Sequence, residues 1–257
     1  MAGRLKRREL LAFVLIAAVM TAGGIPSIGT GYAAEDGAAL NKTDHFAYII
    51  GYPDGEVKPL GMVTREEAAV IFYRLMTEEK RINYYSTIQP FPDVDDKRWS
   101  GDEIATLYNA GIIRGYPDGS FMPAKPITRA EYAAIAAGFD TLEESTGSRF
   151  PDVENHWAKK YIDPSAEKGW IRGYGDGTFR PDHFIIRCEA MMLVNEALDR
   201  RVNLAGLHEA AKQWPDNTED KWYYEIVMEA TNTHDYERAD RLRSTEKWIR
   251  IRDNPVW

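Results

Sequence analysis

Three arginines occupy the same position in a motif that occurs three times along the chain. Arg65, Arg129 and Arg187 each stand two residues before a glutamate, where the residue pattern predicts that a helix begins. A cation in the first turn opposes the helix macrodipole, so these arginines are expected to add little to stability. A guanidinium beside the free N–H groups of a helix N-terminus suits a carboxylate or a phosphate. The pattern indicates anion sites, with neutralisation of the neighbouring glutamate as the competing structural explanation.

The residues around these arginines predict how the helices begin. Thr64 with Glu67, and Thr128 with Glu131, have the spacing of a capping box. In such a box the threonine hydroxyl accepts the backbone N–H of the glutamate, and the carboxylate accepts the backbone N–H of the threonine. The first two copies of the motif therefore predict well-defined helix N-termini.

Two further motifs share the period of the arginine motif. Gly-Tyr-Pro-Asp-Gly and its variant predict a tight turn before each arginine, because proline presets the backbone and glycine accepts positive φ. An aromatic residue followed by Pro-Asp, with a tryptophan seven or eight residues later, predicts another helix, which Gly111 is expected to end. Each unit is therefore predicted to be helix, turn, helix. The turns lie at 51–55, 115–119 and 173–177, the Pro-Asp motifs at 91–94, 150–153 and 214–217, and the tryptophans are Trp99, Trp157 and Trp222.

The third copy departs from the pattern of the other two. Ile186 replaces the capping threonine, Cys188 replaces an alanine, and Pro164 falls inside the predicted first helix. Proline lacks an N–H group and is expected to kink or shorten that helix. We therefore expect the strongest anion binding near Arg65 or Arg129.

These motifs, in this order, resemble the S-layer homology domain of bacterial cell-surface proteins. The match is densest over residues 91–131 and extends over roughly residues 45–231. The resemblance implies a mainly α-helical fold in which three helix-turn-helix repeats form a pseudo-threefold assembly. It also implies a non-catalytic wall anchor that binds a secondary cell-wall polysaccharide, often carrying a ketal-linked pyruvate, in the grooves between repeats. We therefore expect a secreted protein of the cell wall or cell surface.

The resemblance also implies which residues contact the polysaccharide. The arginines are expected to pair with the pyruvate carboxylate, and the aspartates of the Pro-Asp motif to accept hydrogen bonds from sugar hydroxyls. Two tryptophans are expected to lie partly in the core and partly in a groove wall, and two glycines to permit close approach in the grooves. The expected binding residues are Arg65, Arg129, Arg187, Asp93, Asp152, Asp216, Trp99, Trp157, Gly115 and Gly173.

The register of the motifs leaves half a unit at each end of the repeat region. A lone half would expose an apolar stripe, so we expect the C-terminal half to complete the first repeat by docking beside Ile71 and Leu75. The rest of the chain is expected to be a charged, largely irregular tail over that seam. The expected boundaries are 45–76 for the second half of repeat 1, 91–138 for repeat 2, 150–198 for repeat 3, 214–231 for the closing helix and 232–257 for the tail.

The N-terminus has the pattern of a secretory signal peptide over residues 1–33. Four basic residues precede an apolar run of eleven, and small residues lead to cleavage after Ala33. The run is too short to span a bilayer, which needs about 20 residues, so no membrane contact is expected after cleavage. Cleavage would remove four basic residues and one acid, which changes the net charge from −8 to −11. This acidic balance argues against nucleic-acid binding.

Other chemistry has weaker support in the residue pattern. A wall-active glycoside hydrolase needs one asymmetric pair of carboxylates, whereas the acids here recur in capping and turn positions. The histidines have no metal-ligand spacing, Asp93–Asp96 lacks the glycine of a calcium loop, and Cys188 is the only cysteine. We expect no enzymatic activity, no cofactor and no metal. A protein–protein or S-layer lattice module, with other surface proteins as partners, is the main alternative to the anchor.

Overall fold

The computed structural model describes residues 39–145, 147–238 and 244–256, so the expected signal peptide lies outside the described residues. The described part is mostly helical, as expected, and also contains a small two-stranded sheet. None of its helices combines the length and the apolar character needed to cross a bilayer. The elements are α1 (Arg65–Leu75), α2 (Glu78–Tyr84), α3 (Gly101–Asn109), α4 (Arg129–Ala137), α5 (Lys159–Glu167), α6 (Arg187–Ala197), α7 (Tyr224–Thr231), β1 (His234–Arg238) and β2 (Glu246–Ile251).

The predicted capping boxes and turns are confirmed. In α1 and α4 the threonine before the helix accepts from the N–H of the third helical residue, and the glutamate there accepts in return. Between α3 and α4, Gly119 has φ +85° and its N–H donates to the carbonyl of Tyr116 at 2.9 Å. Gly111 has φ +73° just after α3, as predicted. Local sequence chemistry therefore sets the ends of these helices.

The helix containing Pro164 is not shortened. It is α5, which has nine residues, the same number as α3. Proline removes one N–H donor from the helix, but the carbonyl of Pro164 still accepts from the N–H of Lys168 at 3.0 Å. The expectation of a shortened helix is therefore wrong, whereas a kink at the proline stays a prediction.

Three backbone hydrogen bonds join the repeats in a closed ring, which we call the central ring. The N–H of Val63 donates to the carbonyl of Ile185 at 3.1 Å, and that of Ile185 donates to Ile127 at 3.0 Å. The N–H of Ile127 closes the ring by donating to Val63 at 2.9 Å. The three side chains are at most 2% exposed. Each of these residues precedes a motif arginine by two positions, so the ring brings the N-termini of α1, α4 and α6 together.

Each second helix of a repeat packs against the first helix of the following one. The pairs are α1 with α3, α4 with α5, and α6 with α7. The closing helix α7 therefore packs mainly against α6, rather than beside Ile71 and Leu75 of α1 as expected. It contacts the segment before the first turn, because the carbonyl of Ala230 accepts from the N–H groups of Tyr48 and Ile49 at 3.1 Å each.

The segment before α7 contacts the residues that follow the first turn, at 51–55. The other two Pro-Asp motifs make equivalent contacts with the residues that follow the second and third turns. The Asp216 carboxylate accepts from the N–H groups of Val57 and Lys58 at 3.1 and 2.7 Å. The ring of Trp214 lies so close to Gly51 that a Cβ there would meet it at 2.1 Å. Residues at the two ends of the repeat region are thus in direct contact.

The C-terminal segment is more regular than the sequence analysis expected. Strands β1 and β2 pair antiparallel, with a register shift between Asp235 and Tyr236. Trp248 of β2 is 2% exposed and packs in a small second core with Val202 and Met228. The charged residues hid this hairpin, because only one face of its strands is buried. The expectation of a largely irregular tail is therefore wrong.

Replacing Asp216 with alanine should destabilise the N-terminal turn and α1, although these lie far away in sequence. The variant loses two hydrogen bonds to a carboxylate, and we expect the free energy of unfolding to fall by about 2–3 kcal/mol. Hydrogen exchange should become faster over residues 57–75. The exposed Asp220, changed to alanine, is the matched control and should leave this exchange unchanged. Equal protection in Asp216→Ala and the wild type would contradict the structural role of the contact.

Candidate functional site

Each motif arginine inserts into the neighbouring repeat. The side chain of Arg129 is the best-formed example: its Nε donates to the carbonyl of Phe179 at 2.8 Å, and its Nη1 lies 3.0 Å from the carboxylate of Glu189. The guanidinium also lies over the rings of Tyr174 and Phe179, 4.8 and 4.6 Å from their centroids. Arg129 is only 5% exposed. Its charge is thus held by a carbonyl, a carboxylate and two aromatic faces of repeat 3.

The other two arginines make equivalent contacts. Arg65 Nε donates to Phe121 O at 2.7 Å and its Nη1 lies 3.9 Å from Glu131, whereas Arg187 Nε donates to Val57 O at 2.8 Å. Arg187 also lies 3.3 Å from the carboxylate of Glu67 and over the ring of Tyr52. Repeat 1 therefore pairs with repeat 2, repeat 2 with repeat 3, and repeat 3 with repeat 1.

The tyrosine of each turn completes these contacts by donating to the same glutamate. Tyr52 donates to Glu67 at 2.6 Å, and Tyr174 donates to Glu189 at the same distance. Burial, together with the hydrogen bond to Glu67, raises the pKa of Tyr52 to about 12. The tyrosine therefore stays protonated and remains a donor at neutral pH.

The N–H groups at the starts of these helices are not free. Arg65 and Glu66 donate to the carbonyls of Lys125 and Pro123 at 2.9 and 3.0 Å, and equivalent carbonyls accept from the first residues of α4 and α6. The neighbouring repeat thus satisfies the donors that an isolated helix would leave open. This corrects the premise of an anion site made from helix N-termini. The helix dipole alone also leaves out the partners that each arginine finds in another repeat, so we now expect the loss of an arginine to destabilise the fold.

The three aspartates use both carboxylate oxygens within the chain. Asp93 accepts from the N–H groups of Phe121 and Met122 at 2.8 and 2.7 Å, and Asp152 accepts from those of Phe179 and Arg180 at 3.0 and 2.7 Å. Asp216 does the same at the first turn. Met122, Arg180 and Lys58 all have positive φ, between 52° and 58°, so these carboxylates hold the chain in a costly conformation. A contact between these aspartates and sugar hydroxyls stays a prediction.

The two glycines expected in the grooves lie against aromatic rings of the Pro-Asp motif. A Cβ on Gly115 would meet Phe91 at 2.6 Å, and one on Gly173 would meet Phe150 at 2.5 Å. Any side chain at these positions would push the ring away. The close approach expected from the sequence therefore occurs, but it is an approach to the protein's own core. Gly115 also lines an open cavity of about 560 Å³.

The two expected tryptophans differ in exposure. Trp157 is partly buried and packs against the core, in line with its expected mixed position. Trp99 is 59% exposed, so it contributes little to the core. A tryptophan ring left largely open to water, at a position that recurs in each repeat, is a candidate surface for the apolar face of a sugar.

A large cavity lies beside Arg187 and is lined by this tryptophan. It has a volume of about 570 Å³, and we call it the Arg187 groove. The cavities beside Arg65 and Arg129 measure only about 10 and 20 Å³. Cavity size therefore favours Arg187, whereas stronger anion binding at Arg65 or Arg129 stays a prediction. Six of the residues that line the Arg187 groove are Tyr48, Gly51, Tyr52, Arg74, Trp99 and Arg187.

Arg74 distinguishes the Arg187 groove from its two counterparts. It stands nine residues after the motif arginine, where repeat 2 has Gly138 and repeat 3 has Glu196. Its Nη1 donates to the carbonyl of Tyr48 at 3.2 Å, while its buried Nε has no hydrogen-bond partner among the described residues. Burial lowers the pKa of Arg74. An anionic ligand in the groove would offset the cost of burying this charge.

A second group of polar residues, which the sequence did not indicate, includes one residue of α7. His45, Glu229, His234 and Glu246 lie together and are buried. The two histidines are separated by 189 positions, so no local spacing could indicate their contact. The only available signal was the presence of buried-type aromatic residues in the charged tail.

Replacing Arg129 with alanine should destabilise the whole fold, contrary to the expectation from the helix dipole alone. The change leaves the buried Glu189 carboxylate and the Phe179 carbonyl without their partner, which we expect to cost about 3–5 kcal/mol. Thermal and urea unfolding measure the loss. Arg172→Ala, which removes a mostly exposed arginine of the same repeat, is the control and should have a much smaller effect. Wild-type stability in Arg129→Ala would show that the inserted arginine is dispensable for folding.

Comparisons with known proteins agree with the repeat organisation. The S-layer homology domain profile matches residues 47–69, 90–133 and 149–191. Cell surface glycoprotein 1 of Acetivibrio thermocellus is 34% identical over 220 residues, which is 81% of this chain and 9% of that protein. The cellulosome-anchoring protein of the same organism is 36% identical over 199 residues, or 75% of this chain and 44% of that protein.

A third relative comes from another genus. An S-layer protein of Bacillus licheniformis is 28% identical over 186 residues, or 70% of this chain and 20% of that protein. The chain thus spans less than half the length of each of these relatives. The family match and the relatives together point to a secreted protein of the cell wall or cell surface. The three matched segments, each of which contains a turn motif and a motif arginine, show that the chain belongs to the S-layer homology domain family.

Proposed function

We propose that the protein is a non-catalytic cell-wall anchor that binds an anionic, pyruvylated secondary cell-wall polysaccharide. The observation that carries this proposal is the Arg187 groove, which combines about 570 Å³ of open volume with an exposed tryptophan and two arginines. A groove of this size accommodates a few sugar residues. Its arginines select for an acidic substituent, and its tryptophan offers an apolar face.

The charge of the groove supports an anionic ligand. Arg74 and Arg187 both line it, and Glu67 is the only acid among its lining residues. That carboxylate already accepts from Tyr52, from the N–H of Thr64 and from Arg187. A ligand carboxylate would therefore meet a net positive surface.

The corresponding groove between α6 and α7 is less suited to an anion. Its cavity is about 220 Å³, and it is lined by Glu196 where the Arg187 groove has Arg74. This cavity is lined by three arginines and three glutamates, so its lining has no net charge, and Glu196 pairs with both Arg172 and Arg201. We therefore assign the principal binding role to the Arg187 groove, with Arg65, Arg129 and the aspartates of the Pro-Asp motif holding the repeats together.

We also propose that the three repeats are arranged with pseudo-threefold symmetry and that the first repeat is split. Residues 45–76 and 214–231 would form repeat 1, with residues 91–138 and 150–198 as repeats 2 and 3. The closed circuit of the central ring and the cyclic order of the arginine contacts support the symmetry. The contacts of Asp216 with Val57 and Lys58 support the split repeat.

Changing Trp99 or Arg74 to alanine should weaken binding to purified pyruvylated polymer. Each variant loses one contact of the groove, and for Arg74 the loss of a charge-assisted hydrogen bond predicts a dissociation constant raised about 10-fold or more. Titration calorimetry with intact polymer and with polymer from which mild acid has removed the pyruvate measures this. Removing the pyruvate should weaken wild-type binding and abolish most of the difference between Arg74→Ala and the wild type.

Trp222→Ala is the matched control for the tryptophan. Trp222 has the same motif position and is 63% exposed, but it lines the groove that contains Glu196. An equal loss of binding in Trp222→Ala and Trp99→Ala would contradict the assignment to the Arg187 groove. Retention by walls stripped of polymer would favour the protein–protein or lattice alternative. Release of soluble sugar fragments would instead favour the hydrolase.

A further inference from the structure

Four ionisable side chains meet in a buried cluster. They come from the segment before the first turn (His45), from α7 (Glu229) and from the two strands of the β-hairpin (His234 and Glu246). Each is at most 1% exposed. We call these residues the His/Glu cluster. They lie apart from the Arg187 groove and take no part in the proposed polysaccharide binding.

The atoms that face the centre of the cluster are arranged like the ligands of a tetrahedral metal ion. His45 Nδ1 lies 3.3 Å from His234 Nε2, 3.4 Å from Glu229 Oε1 and 3.1 Å from Glu246 Oε2. His234 Nε2 lies 3.5 Å from each of the two carboxylate oxygens. All four atoms lie within 4.8 Å of one another. Ligands 2.0–2.1 Å from a tetrahedral zinc ion are separated by about 3.3 Å, so the five spacings of 3.1–3.5 Å fit such an ion, and the two carboxylate oxygens lie within 4.8 Å of each other.

The hydrogen bond on the far side of His234 fixes which nitrogen faces the cluster. Its Nδ1 lies 2.9 Å from the backbone carbonyl of Asn232, which can only accept. Nδ1 therefore has a proton, and Nε2 is the nitrogen that faces the two carboxylates. This outer contact is the usual one for a histidine that binds metal.

The partners of Glu246 orient it in the same sense. Its Oε1 accepts from the backbone N–H of Arg201 at 3.2 Å and from the guanidinium of Arg238. Its Oε2 is left to face the two histidines. The rings of His45 and His234 are fixed as well, because they stack on Tyr236 and Trp248 at 4.0 Å each. The cluster is thus held in place before any ligand binds.

Glu229 supplies the strongest reason to expect a cation. Neither of its carboxylate oxygens has a hydrogen-bond partner among the described residues, although the side chain is 1% exposed. A buried, unpaired carboxylate costs several kcal/mol. Its Oε1 instead faces the nitrogens of His45 and His234. The buried Arg200 acts on Glu229 electrostatically, but its Nη atoms donate to backbone carbonyls of the segment that contains His45. A positive charge at the centre of the cluster would satisfy the Glu229 carboxylate.

We propose that the His/Glu cluster is a structural site for a divalent transition metal, with Zn²⁺ as the best chemical match. Two imidazole nitrogens and two carboxylate oxygens suit zinc, whereas Ca²⁺ and Mg²⁺ prefer oxygen ligands alone. Four protein ligands in a buried setting leave no open position, which is typical of a structural rather than a catalytic site. The metal would tie the start of the chain, α7 and the C-terminal hairpin together.

Zn²⁺ titration of the purified chain after treatment with a chelator tests the proposal. We expect one Zn²⁺ per chain with a dissociation constant below about 1 μM. Excess Zn²⁺ should raise the midpoint of thermal unfolding by about 5 °C or more over the chelated protein. Co²⁺ in place of Zn²⁺ should give the intense visible absorption bands of a four-coordinate site. The absence of stoichiometric binding in the wild type would overturn the proposal and leave a hydrogen-bonded cluster that shares protons.

Two variants and one control separate this site from surface histidines. Glu229→Gln keeps the shape of the side chain and removes its charge, and His234→Ala removes one ligand. Both should lower zinc affinity at least 100-fold and abolish the four-coordinate Co²⁺ spectrum. His183→Ala removes an exposed histidine and should leave both unchanged. If His183→Ala abolished binding, or if Glu229→Gln folded and bound Zn²⁺ as the wild type does, the assignment would be wrong. The wild-type stoichiometry and spectrum decide the matter even if a variant fails to fold.

Discussion

The central ring of three backbone hydrogen bonds is the constraint on which the rest of the structure depends. Val63, Ile127 and Ile185 each donate to one member of the ring and accept from the other. Because each stands two residues before a motif arginine, the ring brings three helix N-termini to one place and aims each arginine under the next turn. The aromatic stacking, the shared glutamates and the grooves between repeats all follow from that placement.

The arginines show why a repeat cannot be understood from its own helices alone. Within one helix, Arg129 opposes the macrodipole and should be unfavourable. In the folded chain, its guanidinium is bound by Phe179, Tyr174 and Glu189 of the next repeat. The neighbour's backbone carbonyls likewise satisfy the first N–H groups of the helix. The motif therefore encodes the interface between repeats, and the repeat depends on its neighbours for stability.

The features that sequence reasoning predicted well depend on residues close together in the chain. The Thr64 and Thr128 capping boxes and the turn at Gly111 are set by contacts within four residues, so their residue types suffice. The size of the Arg187 groove and the meeting of His45 with His234 depend on residues more than 80 positions apart. A repeating pattern of residue types along the chain does not indicate contacts between residues so far apart. The sequence did not predict the hairpin because charged residues on its exposed face obscure the alternation of buried and exposed residues along its strands.

The contact between Asp216 and the first turn has a consequence for how the chain acquires its structure. It joins residues separated by 159 positions, and closing so long a loop has a large entropic cost before any compensating contact forms. A polypeptide synthesised from its N-terminus holds the early turn and α1 long before their partner exists. Folding is therefore expected to be a late, cooperative event of high contact order, with the first turn and α1 among the last parts to reach their final packing.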